Sequence, residues 1–270
     1  MTAPPAWRYA TVAALVGVWM LAGWWLGLDA NAYLLLGIPL VVAFHLGVRR
    51  LPLSALWVVD APPLRLTRRA IVIATLLALV PLADLVVACV QRDVIRIVFF
   101  AAAIVGAGAA AYALSHLAVR WRFALGYMTL IVAMSAVLWS ALLANGSVSL
   151  SVMPGGIGQR IAIGALSLLE YFAVAFVVEE VAFRALDRHL DTEATWRGLP
   201  SGVYISALWG LWHLPIAGSA GVATALQLVA IHMPFGVALS YAWRRTGNLV
   251  LPALGHAMVD AIRNALVGVA

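Results

Sequence analysis

The chain has no lysine at all; its 17 basic residues are all arginine. Charged residues of either sign make up only 10% of the 270 residues, against 64% apolar ones, and the mean hydropathy is +1.01. So little polar surface cannot cover an ordinary soluble domain, which excludes that class. There is one cysteine, Cys89, so no internal disulfide can form, and it reads as a small buried hydrophobe. Apolar residues run continuously rather than alternating, which argues against a membrane β-barrel. The helix signature His-Glu-x-x-His of common zinc proteases is absent. The formal charge of +6 and the pI near 10.1 do not point to nucleic acid, because the arginines sit in short loops between apolar runs, where membrane topology places them.

What remains is a polytopic, all-α transmembrane helix bundle. A span needs about 20 apolar residues, and nine candidate runs are present: 9–28, 32–48, 70–90, 97–119, 123–143, 161–180, 201–214, 222–243 and 249–269. The seventh is short, so the expectation is eight or nine spans. Ala30-Asn31-Ala32 mimics a signal-peptide cleavage site, but the run before it is too long, and it reads as a retained span. If the loop bearing Arg49, Arg50, Arg65, Arg68 and Arg69 is cytoplasmic, every other loop arginine except Arg92, Arg96 and Arg160 is cytoplasmic too. This predicts a multi-pass protein of the cell (cytoplasmic) membrane with its N-terminus inside. Residues 51–67, with Pro52, Pro62, Pro63 and Trp57, read as an interfacial segment. The glycine-rich loop 145–159 divides the chain into 1–150, with five spans, and 151–270.

The polar exceptions lie in the second part. Glu179-Glu180 with Arg184, His213, and His256 with Asp260 all fall on apolar runs, where a charged group costs roughly 2.5–3.5 kcal/mol even on lenient scales. Glu180 and Arg184 are four apart and share a helix face, which leaves Glu179 free. Glu170 is nine residues before Glu179 and is expected on the opposite face, as an interhelical hydrogen bond. His232 and Arg263 are looser candidates. Counted inward, the acids and imidazoles fit one water-filled pocket open to the cytoplasmic side. Such a pocket supports water activation by a glutamate and a histidine, with a second histidine donating to the oxyanion. The same ligand types, Glu179, His213 and His256, would also suit zinc with an open coordination position.

Glu-Glu-x-x-x-Arg at 179–184, Trp209-x-x-x-His213 and His256-x-x-x-Asp260, in that order, resemble the CPBP family of intramembrane proteases. That family contains the CAAX prenyl endopeptidases and the Abi-type bacteriocin-immunity proteins. The resemblance spans about 161–264. It implies an endopeptidase acting on a peptide bond of a membrane-associated protein or peptide, within the lipid bilayer. Glu179 would be the general base with His213, Glu180 and Arg184 the supporting pair, and His256 and Asp260 the oxyanion side. The prenyl endopeptidases require no metal in the favoured description. Two positions depart from the family's pattern: Trp209 stands for phenylalanine, and Asp260 for the asparagine of the prenyl endopeptidases. An ionised aspartate cannot donate to an oxyanion, so Asp260 must be protonated, orient His256 or bind metal. The competing readings are a non-catalytic immunity or scaffolding protein of the same fold and an ion-coupled transporter. The latter predicts internal repeats, and none is visible.

Overall fold

A computed structural model of the chain describes residues 5–60, 62–150, 155–219 and 221–268. Among them there are ten α-helices and no strand. The first five are α1 (Ala6–Leu26), α2 (Ala30–Ala43, prolonged by a π-helical turn, Phe44–Val48), α3 (Arg68–Gln91), α4 (Val94–Ser115) and α5 (Trp121–Ala144). They coincide with the first five apolar runs to within a few residues. Asp29, Thr67 and Asp93 cap α2, α3 and α4 by accepting from backbone N–H groups in the first turn. The second part contributes α6 (Gly156–Ala175), α7 (Glu179–Leu190), α8 (Leu199–Trp212), α9 (Val222–Thr246) and α10 (Val250–Val267).

Seven of the ten helices, α1–α6 and α9, are long and apolar enough to cross a bilayer, and the chain is a multi-pass membrane protein. The seventh and ninth expected spans do not reach that standard. α8 has only 14 residues, and α10 carries His256, Asp260, Arg263 and Asn264 along its 18. The sixth run is not one helix either. It breaks at Phe176–Val178, and Glu179 opens a new helix. Three valines in five residues weaken the helix there, and two adjacent acids are better placed at a helix N-terminus, where the dipole favours negative charge.

α7 is the centre of the molecule. Nine of its 12 residues are buried, including Glu180, Arg184 and Asp187. It packs against α1, α2, α8, α9 and α10. The carbonyl of Phe176, freed by the break, accepts from the Trp57 indole at 2.7 Å. That contact draws in the 51–67 loop, whose Leu56, Trp57 and Val58 are buried. The loop does not cross the membrane, but its centre docks under the bundle instead of lying in the interface. Backbone bonds from Val59 to Gly247 and from Leu249 to Trp57 fix it against the α9–α10 turn.

Close helix approach is made with small residues, as membrane packing requires. A Cβ at Gly106 of α4 would lie 2.2 Å from the Ala173 carbonyl oxygen of α6, and one at Gly210 of α8 would lie 2.8 Å from the Leu228 carbonyl oxygen of α9. Cys89 is exposed on α3, so the expectation of a buried position was wrong. α3 is the least buried of the candidate spans, and most of its surface has no protein neighbour to meet.

Candidate active site

Four helix segments converge on Glu179. The helix break places this residue at the start of α7, so that twelve residues, about 18 Å of helix at 1.5 Å each, separate it from the Leu190 end. Its side chain is 18% exposed, whereas that of the adjacent Glu180 is 0% exposed. Water therefore reaches one carboxylate and not the other. The Glu180 carboxylate is held between two cationic or donor groups, by an ion pair on one oxygen and a hydrogen bond on the other. Arg184 Nε lies 3.1 Å from one oxygen, and His256 Nδ1 lies 2.9 Å from the other. Arg184 is in turn held by α9, its Nη1 donating to Ser240 Oγ at 2.6 Å. A buried pair of this kind is stable only while both partners remain.

Glu179 Oε2 accepts from Trp209 Nε1 at 3.0 Å. His213 Nε2 stands 3.7 Å from the same oxygen, and His256 Nε2 stands 3.9 Å away. His213 Nδ1 meets the Trp209 carbonyl at 2.8 Å. A carbonyl can only accept, so Nδ1 carries the proton and Nε2 offers its lone pair toward Glu179. The position of His213 depends on an aromatic cluster from both parts of the chain. Tyr33 OH of α2 donates to the Trp212 carbonyl at 2.8 Å, satisfying an end-of-helix acceptor, and Trp19 Nε1 donates to the Tyr33 carbonyl at 2.9 Å. His232 stacks on His213 with ring centroids 4.0 Å apart.

On α10, His256 Nε2 lies 3.4 Å from Asp260 Oδ2, and Arg263 Nη1 lies 2.9 Å from Asp260 Oδ1. Of the three roles open to Asp260, this geometry matches that of a carboxylate that orients His256 and is balanced by arginine. The structure thus brings Glu179, Glu180, Arg184, His213, His256 and Asp260 into one cluster. Among the described residues no group of three or more His, Cys, Asp or Glu side chains is arranged to hold a metal ion.

A cavity of about 420 Å³ opens on the cluster. Glu179, His256 and Asp260 line it together with Phe99, Phe100 and Arg96 of α4 and Asn31 of α2. Two expectations are corrected here. First, Glu170 lines this same cavity and makes no hydrogen bond or ion pair with any described residue. Nine residues of uninterrupted helix would have turned it away from Glu179, but the break at 176–178 resets the phase. Second, the cavity reaches Asn31 and Arg96, in the first turns of α2 and α4. It extends to the end of the bundle holding the α1–α2 and α3–α4 turns, not to the arginine-rich end. Residue spacing missed Arg96, Asn31 and the indole donor of Trp209. The one available signal was Glu170, an ionisable group within an apolar run; Arg96 read as a loop arginine.

Residues 161–262 match the Rce1-like family, described as type II CAAX prenyl endopeptidase. The matched stretch contains Glu179, Glu180, Arg184, His213, His256 and Asp260, but neither Asn31 nor Arg96. No curated protein and no solved structure matches the chain.

Proposed function

We propose that this chain, whose residues 161–262 match the Rce1-like family of type II CAAX prenyl endopeptidases, is an intramembrane protease of the CPBP kind that cleaves a peptide bond of a membrane-associated protein or peptide by glutamate-assisted attack of water. The observation that carries the proposal is the meeting of Glu179 Oε2 and His213 Nε2, 3.7 Å apart, at the wall of a cavity. A water molecule between them can give its proton to this pair as its oxygen attacks the substrate carbonyl. The Trp209 indole holds the Glu179 carboxylate in place. His256, with a proton on each nitrogen, donates through Nδ1 to Glu180 and through Nε2 to the oxygen that becomes charged. Before substrate binds, Asp260, held by Arg263, aims that ring from 3.4 Å at the same Nε2, and it gives up the N–H to the developing oxyanion. When the tetrahedral adduct collapses, the carbon–nitrogen bond breaks and the proton held by Glu179 and His213 passes to the leaving amine.

The arginine bias supports an orientation in the cell membrane with the N-terminus inside. In that orientation the cavity reaches the outer side.

The test uses the full chain in detergent with a degenerate apolar peptide library, reading new termini by mass spectrometry. Glu179→Gln keeps the shape and removes the base. Cleavage should fall by about 10³-fold, within the range general bases contribute, with an unchanged melting temperature. Cleavage retained by Glu179→Gln would overturn the assignment of the base.

A further inference from the structure

From the placement of Glu170 in the cavity that Glu179, His256 and Asp260 also line, with no hydrogen bond or ion pair among the described residues, we infer that Glu170 is a specificity-determining residue that receives a basic side chain of the peptide substrate. The inference rests on the endopeptidase reading of the same cavity and adds a substrate class to it.

An ionisable group inside a membrane protein faces a counter-ion, water or a ligand, because lipid and bare apolar walls cannot stabilise it. The other acids at this cavity are accounted for. Glu179 accepts from Trp209, and Asp260 is paired with Arg263 and His256. Glu170 on α6 has no hydrogen bond or ion pair among the described residues and feels Arg96 only at longer range. Arg96, the cation of the same cavity, has other partners: Nη1 donates to Gln91 Oε1 at 3.0 Å, and the guanidinium lies over the Phe100 ring at 5.6 Å. It makes no ion pair with Glu170 among the described residues. Gln91 and Phe100 are neutral and leave the Arg96 charge in place, but Asp84 and Asp260 act on Glu170 against it, so acids outnumber this cation around Glu170 and the ligand chemistry that completes the set is a cation. A cavity of about 420 Å³ admits a few residues of peptide and not a folded domain. Beside the phenylalanines Phe99 and Phe100, the fitting group is the long apolar stem and charged head of arginine or lysine. Seated on Glu170, it would hold the neighbouring peptide bond against the Glu179–His213 pair.

The experiment measures binding apart from cleavage. Two degenerate apolar ten-residue peptide libraries, identical except for one fixed Arg in the first and one fixed Gln in the second, are titrated by fluorescence anisotropy into the full chain in detergent. The protein should bind the Arg library about tenfold more tightly, the scale of one charge-assisted contact. Glu170→Gln should bring the Arg library down to the affinity of the Gln library. Glu170→Lys should shift preference to a third library with fixed Glu. Glu179→Gln should lose cleavage and keep the Arg preference. If an Arg preference depends on Glu170 but no variant or parent cleaves, the endopeptidase reading falls and Glu170 stands. An absence of Arg preference in the parent, an equal preference in Glu170→Gln, or an equal loss for both libraries would overturn the inference.

Discussion

Adjacent residues of one chain seldom differ as much as Glu179 and Glu180. One meets a cavity and an imidazole lone pair; the other is sealed between Arg184 and His256. The sealed carboxylate supports structure. Arg184→Met leaves Glu180 buried beside His256 alone, and removing one partner of a buried pair costs about 3–5 kcal/mol. Chemical denaturation in detergent should show that loss. The double change Arg184→Met with Glu180→Gln should lose less than the two single changes summed, since the two groups are in contact. The reachable carboxylate supports chemistry, and its indole partner sets its aim. Trp209→Phe removes the 3.0 Å donor while keeping an aromatic ring at the packing position. The expected result is a kcat lower by about tenfold, the worth of one hydrogen bond to a charged group, at unchanged KM. A change confined to KM would refute the aiming role.

Among the elements, the interruption between α6 and α7 matters most. It makes Glu179 the first residue of α7, and it brings Glu170 and Glu179 to a common cavity. Two contacts maintain it. The Trp57 indole satisfies the Phe176 carbonyl, and Trp57→Phe should cost about 1–3 kcal/mol for a buried acceptor left unpaired. Cleavage should fall with it, because Glu179 is three residues away. The close approach of α4 to α6 at Gly106 is the other contact. Gly106→Val forces a side chain against the Ala173 carbonyl, and overpacking of this kind costs about 1–3 kcal/mol. The melting temperature of the purified protein should drop for both variants. A Gly106→Val protein with parental stability would mean that α4 and α6 are free to part.

Over the whole molecule, the first five helices and the motif-bearing helices form one packed body. The Tyr33–Trp212 and Trp57–Phe176 contacts both join them, as does the bond from Asn248 Nδ2 to the Ala113 carbonyl at 2.8 Å. The cavity extends to Asn31, at the end opposite the arginine-rich loops. In a Cys89→Ala background, an impermeant maleimide applied to intact cells should label Asn31→Cys. It should label Arg65→Cys only after the membrane is opened. The reverse pattern would invert the orientation that the arginines imply.

Some of this was written in the order of residues. The absence of polar surface, the continuity of the apolar runs and the acids and histidines interrupting them determine an all-α membrane bundle, because burial in lipid leaves backbone groups no partner but their own helix. The four-residue spacings of Glu180 with Arg184 and of His256 with Asp260 dictate their contacts once those segments are helical. Spacing alone carried no further than an intact helix. Only the tertiary structure decided that the sixth run breaks before Glu179, and the break is stabilised by Trp57, 119 residues away in the chain. It also decided that Glu170 joins the site and that the cavity reaches the arginine-poor end. Each of these follows from a contact between distant segments, and no periodicity within one segment encodes such a contact.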